Sequence, residues 1–172
     1  MSETILTEID NGVGIITLNR PERHNAFDDA LIRELSTALV RMDTDRDVRV
    51  VVLSSTGKSF CAGADLNWMK QAAAYTAEET QRDAVQLAGM LRLLNDMKKP
   101  TVARVQGPAY GGGVGLVAAC DIAIAADNMA VEVIPNPRHP ELIMPVHQHT
   151  LVDSGVYLIE NLKLDEIGRA HV

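Results

Sequence analysis

Val48-Arg-Val-Val-Val-Leu-Ser-Ser-Thr-Gly-Lys-Ser-Phe-Cys-Ala-Gly-Ala-Asp-Leu66 is the stretch on which the fold turns. Val48 to Leu53 is a β-branched run, the pattern of a strand buried on both faces in an α/β protein. A Ser/Thr/Gly loop follows, then Cys61-Ala62-Gly63-Ala64, where small residues let backbone N–H groups approach a ligand closely. The same order recurs further on. Pro100 closes a helical stretch, Thr101 to Val105 reads as a strand, and Gly107-Pro-Ala-Tyr-Gly-Gly-Gly113 follows it. The glycine-rich turn, Gly107 to Gly115, leads into a short helix, and Ile122 to Ala125 is the next buried strand.

Upstream, Thr4 to Ile9 and Val13 to Leu18 read as two strands joined by Asn11-Gly12, a pair suited to positive φ angles and hence to a hairpin. Between that hairpin and Val48, apolar Ala30, Leu31, Leu35, Ala38, Leu39 and Met42 recur at helical spacing, with Asp28 or Asp29 as the cap. Thr76 and Glu79 form a capping-box pair before a helix whose stripe runs Leu87, Met90, Leu91, Leu94, Met97. The repeating unit is strand, strand, helix, which predicts an α/β layer architecture.

Composition limits what these turns can serve. With 172 residues, 47% hydrophobic and 23% charged, the chain has the balance of a soluble globular domain. A net charge of -7 argues against a nucleic-acid partner, which calls for a basic surface. No run approaches the ~20 apolar residues of a membrane span, and the acidic start lacks the order of a secretory signal. Cys61 and Cys120 match no metal or redox spacing, so no metal site and a cytoplasmic location are expected.

Two turns whose N–H groups converge on one carbonyl oxygen would form an oxyanion hole, with the partial positive charge of a helix start behind the second. The alternative is that they are tight turns and nothing more. Competing glycine motifs fail. A phosphate loop needs glycine five residues before Gly57, where Val52 stands. A dinucleotide fingerprint counted from Gly111 ends on Leu116, and no Gly-x-Ser-x-Gly elbow is present. Bland readings also stand for single residues: Cys61 as a buried small hydrophobe rather than a nucleophile, His24 as a loop histidine rather than a coenzyme contact. Trp68 and Met69 are expected to pack beneath the loop.

Val13-Gly-Ile-Ile-Thr-Leu-Asn-Arg-Pro-Glu-Arg-His-Asn-Ala-Phe27, Val50 to Leu53, Ser59-Phe-Cys-Ala-Gly-Ala-Asp-Leu66 and Gly107 to Ala123 together resemble the enoyl-CoA hydratase/isomerase (crotonase) family. They stand in the family's order over residues 5–127. The wording from Ala62 to Met69 and from Gly111 to Ile122 is similar to the bacterial methylglutaconyl-CoA hydratase branch of leucine and acyclic-terpene breakdown. The resemblance implies a crotonase-like ββα spiral, truncated before the C-terminal helical domain. It implies a hydro-lyase that adds water to an α,β-unsaturated, branched, methylglutaconyl-like acyl-CoA thioester. The N–H groups of Ala64 and Gly112 would form the oxyanion hole, and the backbone at Ala62 would meet the adenine. Asp65 and Leu66 would line the acyl-pantetheine channel, and Arg23 would face the coenzyme's phosphates. Coenzyme A is then part of the substrate, no separate cofactor is needed, and the family assembles as homo-trimers or hexamers.

The departures from the family are equally specific. Gly115 stands where many family hydratases carry an acid/base glutamate, as also looks usual for this branch, and Pro135-Asn136 stands where a second is expected, with Glu132 three residues early. Beyond residue 130 the character changes: four of the seven prolines fall between Pro135 and Pro145, and ten of the twelve glycines precede it. The tail, with His147, His149 and Glu160, resembles the end of a metal-dependent cyclase or formamidase-type hydrolase, and Glu166 to Val172 reads like translated adapter. The expected organisation is an acyl-CoA-binding core at 1–130 joined to an unrelated tail at 131–172, a chimera. Three functions follow from this reading: a hydro-lyase impaired by its missing carboxylates, a non-catalytic acyl-CoA-binding fragment, and a zinc hydrolase fragment supported by the tail.

Overall fold

The computed structural model describes residues 4–126 together with the two-residue strand Val131–Glu132. The tail's histidines, Glu160, the junction near 130 and the Pro135-Asn136 position lie outside the described residues.

Strands β1 (Ile5–Asp10) and β2 (Val13–Leu18) form the expected antiparallel hairpin. Asn11 (φ 49°) and Gly12 (φ 87°) both take positive φ, as a two-residue turn of the right twist demands. The sheet continues with β3 (Val50–Ser55), β4 (Thr101–Val105) and β6 (Ile122–Ala125), each parallel to its neighbour, in the order β1-β2-β3-β4-β6. A second, two-stranded sheet pairs β5 (Ala109–Tyr110) with β7 (Val131–Glu132).

The third strand begins two residues later than its composition suggests. The N–H groups of Arg49 and Val50 donate to Gly12 O at 2.7 and 3.4 Å, tying this entry to the hairpin turn. It also runs past Leu53, because Ser54 and Ser55 pair with Thr17 and Leu18 of β2. The Ser54 and Thr17 hydroxyls lie 2.8 Å apart, so the polar pair satisfies itself inside the sheet.

Burial on both faces is not what the described residues show. Parallel partners share a face, and the row Ile16, Leu53, Ala103, Ala123 is buried. The opposite row, Ile15, Val52, Val102, Ile122, is half-buried to exposed. A β-branched run therefore marked the strands correctly and their second face wrongly, since it reports strand propensity as well as cover.

Helix α1 (Asp29–Thr44) presents Leu31, Ile32, Leu35, Ala38, Leu39 and Met42 to the core. Each large apolar side chain buried there contributes roughly 1.5–3 kcal/mol. Its cap is Asp28, which accepts from Leu31 N–H at 2.9 Å. Asp29 instead pairs with Arg33 one turn on at 2.7 Å, and the Arg33 guanidinium lowers its pKa. Helix α3 (Ala77–Asn95) opens with the Thr76–Glu79 capping box and buries Met90 and Leu94, while Leu87, Leu91 and Met97 pack at the core's margin. Helix α4 (Gly112–Ala118) starts within the glycine run rather than after it. Helix α2 (Leu66–Ala72) is too short for periodicity to reveal.

Candidate functional site

Two short parallel bridges knit three chain segments together at the strand ends. Phe27 bridges Ala64: Phe27 N–H donates to Gly63 O (2.7 Å) and Asp65 N–H donates to Phe27 O (2.8 Å). In this geometry the N–H of Ala64 is not used by the bridge, and it has no acceptor among the described residues. Cys61 bridges Ala109, with Tyr110 N–H donating to Cys61 O at 2.9 Å. That places the Gly111–Gly113 turn directly against the Cys61–Ala64 turn.

The contact is close enough that only glycine fits. A Cβ on Gly63 would lie 2.9 Å from Tyr110 O and 3.1 Å from Gly112 N, and one on Gly113 would lie 2.4 Å from Cys61 O. A Cβ on Gly112 would fall 2.5 Å from Phe27 Cε2. Gly63 (φ 81°) and Gly111 (φ 50°) also need the left-handed region. Gly112 opens α4, and a helix's first N–H groups have no intrahelical acceptor. It too lacks an acceptor among the described residues. The outcome is a pair of half-buried amides, Ala64 and Gly112, on touching turns, both with free donors.

Around this pair the other singled-out residues take up defined positions. The half-buried Ala62 donates its N–H to His24 O at 2.9 Å, so its carbonyl is the group left for a ligand. Asp65 is 6% exposed and caps α2, accepting from Asn67 N–H (2.8 Å) and Trp68 N–H (3.3 Å). Its carboxylate also meets Arg23 Nη1 at 3.4 Å and Arg20 Nη2 at 3.8 Å. Arg23, half-exposed, is thus engaged with Asp65 here. Leu66 begins α2 and is 73% exposed. Trp68 packs at the core's margin, whereas Met69 is exposed instead of lying beneath the loop. Gly115 faces α3, where a Cβ would rest 3.4 Å from Leu91 Cδ1.

Cys61 is fully buried, its thiol donating to Asn25 O at 3.1 Å, and burial pushes its pKa up to about 12. A thiol so held is a packing group rather than a nucleophile. His24 is an exposed loop residue whose Nδ1 lies 3.0 Å from Ser59 Oγ.

Sequence reasoning missed two residues that build the site. Asn25, fully buried with φ 55°, donates to Thr56 O and Ser59 O (2.8 and 3.0 Å) and accepts from Arg20 N–H, fastening two loops. Arg20 reaches Asp28 at 2.7 Å and Ala26 O at 3.2 Å as well as Asp65. Asparagine's tolerance of left-handed φ was the available signal for the first. For Arg20 there was none, since its partners come from two segments, Ala26 to Asp28 and Asp65, that the fold brings together.

Among the described residues no group of three or more metal-binding side chains gathers, and no helix is long and apolar enough to cross a membrane. Known proteins place the chain more firmly. The chain is 36% identical over 124 residues to 4-chlorobenzoyl coenzyme A dehalogenase-1 of an Arthrobacter species, covering 72% of this chain and 45% of the relative. An enoyl-CoA hydratase structure from Shewanella pealeana superposes with a TM-score of 0.73 at 36% identity, covering 75% of this chain and 49% of that one. One from Bacillus anthracis gives 0.70 at 31%, covering 76% and 50%. The chain spans about half the length of the curated relatives it matches. The profile of the enoyl-CoA hydratase/isomerase family matches residues 8–134. With its crotonase-like mixed sheet, its two touching turns and that match, the chain belongs to the enoyl-CoA hydratase/isomerase family.

Proposed function

We propose that the paired turns bind the carbonyl of an acyl-CoA thioester through the Ala64 and Gly112 N–H groups, and that the parent enzyme is a hydratase of an α,β-unsaturated acyl-CoA. The observation that carries this is the pair of unsatisfied amides on touching turns. In hydration, water oxygen bonds to the β-carbon and loses a proton, the double-bond electrons move toward the thioester oxygen, and the α-carbon then takes a proton. Negative charge gathers on that oxygen midway, and preorganised donors stabilise it most there. Ala62 O is the proposed acceptor for the adenine amino group, supported by its having no partner among the described residues, and Leu66, 73% exposed, is proposed to meet an apolar acyl or pantetheine segment. The branched, methylglutaconyl-like acyl group of leucine breakdown and a homo-trimeric or hexameric parent, both drawn from the family resemblance, and a cytoplasmic setting, drawn from cysteine usage, complete the proposal.

A second reading, binding without efficient turnover, is favoured by Gly115. No acid/base carboxylate stands at that position, and α3's Leu91 borders it instead. A positioned acid/base typically supplies about 10²–10⁴-fold in rate. The chain is therefore expected to hydrate methylglutaconyl-CoA slower by about that factor than a relative carrying both glutamates. Turnover within tenfold of such a relative would remove this reading and make Glu132, whose backbone pairs with Tyr110 beside the glycine turn, the first residue to mutate.

Ligand chemistry tests the leading reading without disturbing the fold. Butyryl-CoA and its thioether counterpart differ by the carbonyl alone. The thioester is expected to bind at least about tenfold more tightly, which corresponds to roughly 1.4 kcal/mol for two hydrogen bonds. Equal affinity would refute the carbonyl role.

A further inference from the structure

We infer that Arg20 and Asp65 are positioning residues for the Ala64 N–H, and that neither needs to touch the ligand. The inference rests on the carbonyl-binding reading of Ala64 and Gly112.

Few bonds hold the peptide that carries the Ala64 N–H in place. Ala64's own N–H makes no bond among the described residues, so its direction is set by its two neighbours. Gly63 O, in the same planar peptide as the Ala64 N–H, and Asp65 N–H, in the next peptide, are both fixed to Phe27. Phe27 is in turn held by Arg20, whose Nη1 donates to Ala26 O (3.2 Å) and to Asp28 Oδ2 (2.7 Å). The same guanidinium sits 3.8 Å from Asp65 Oδ2. Asp28 and Asp65 are the caps of α1 and α2, so one arginine ties both helix starts to the bridge beside the donor.

Placement makes this an anchor rather than a surface ion pair. The side chains of Arg20 and Asp65 are 14% and 7% exposed, where water screens their attraction weakly. Arg23, at 47% exposure, is the outer and looser partner. Arginine suits the task because its planar fork serves several acceptors at once, which a lysine head on one flexible stem does not.

A cap alone would explain the burial of Asp65, so the test must separate capping from positioning. Asparagine caps a helix as well as aspartate does but carries no charge. The probe is butyryl-CoA labelled with ¹³C at its carbonyl, bound to the full chain and read by isotope-edited infrared spectroscopy. Hydrogen bonding from the turns lowers the carbonyl stretch. In Asp65→Asn and in Arg20→Lys, less than half of the wild-type lowering is expected to remain in the bound probe. Arg92→Gln, at an exposed helix pair, is expected to keep all of it. Circular dichroism identifies any variant that fails to fold, and either of the two suffices for the test. Full lowering in folded Asp65→Asn or Arg20→Lys overturns the positioning role while leaving the carbonyl site intact. Wild-type protein that binds the probe without any lowering, or does not bind it, overturns the carbonyl site and this inference with it.

Discussion

The two turns of the site reach similar ends by opposite means. The Gly111–Gly113 turn is built by omission: missing side chains at Gly112 and Gly113 let Phe27 and Cys61 close on it to distances no Cβ would allow. The Cys61–Asp65 turn is built by attachment: a bridge to Phe27, a thiol donating to Asn25 O, and a carboxylate held by two arginines. Omission is sensitive to any added atom, whereas attachment is sensitive to any lost group. The first kind of turn fails through crowding and the second through an orphaned charge.

The largest expected effect is on the attached turn. Asp65→Ala empties the cap of α2 and leaves Arg20 with Asp28 alone, and removing one partner of a buried pair costs about 3–5 kcal/mol. Asp65→Asn keeps the cap and is expected to cost less than half of that. Urea unfolding of the two variants measures the gap; equal losses would mean that charge, not capping, holds the turn.

On the built-by-omission side, Gly113→Ala drives a Cβ toward the Cys61 carbonyl, a backbone atom that cannot step aside, and is expected to cost about 3 kcal/mol. Gly111→Ala meets nothing within 4 Å and has only its φ of 50° to contend with, so about 1–2 kcal/mol is expected. If the order of these two reversed, strain rather than crowding would govern the turn.

Cys61 serves both turns, and its chemistry refines the contrast. Burial raises its pKa from 9.0 to about 12. Between those values the folded protein keeps a proton that the unfolded chain releases, so stability falls as pH rises through this window and is unaffected below it. Cys120, raised to about 12 by burial and by nearby Asp121, adds to the same loss. At pH 8 iodoacetamide is expected to label both thiols only as fast as the protein unfolds; rapid labelling of the folded chain would show that the turn opens.

The smallest effect should come from charges outside both turns. Arg33→Gln breaks an exposed pair with Asp29, and surface pairs of this kind are worth about 0–1 kcal/mol. A loss comparable to that of Asp65→Asn would erase the distinction between anchored and decorative ion pairs.

This contrast also explains what could be read in advance. Gly107 to Gly115 announced itself, because close approach requires a particular residue and glycine is visible as such. The hairpin at Asn11-Gly12 and the capping box at Thr76 were legible for the same reason: each is a local rule satisfied within a few residues. Arg20 was not legible. Its partners Ala26, Asp28 and Asp65 converge through tertiary structure, and an arginine before a proline carries no trace of that. Leu66 to Ala72 went unseen as a helix because seven residues cannot display a period. The sheet row at Ile15, Val52, Val102 and Ile122, only partly covered among the described residues, was misread because β-branched residues favour strands whether or not both faces are covered.

Carbonyl binding by the paired turns stands or falls on two backbone amides. Nitrogen-15 NMR of the chain, titrated in parallel with butyryl-CoA and with its thioether counterpart, observes them directly. The Ala64 and Gly112 amide protons should move downfield with the thioester and stay near their free positions with the thioether, while signals around Ala62 respond to both. Saturated thioester binding that leaves both amides where the thioether leaves them would contradict it.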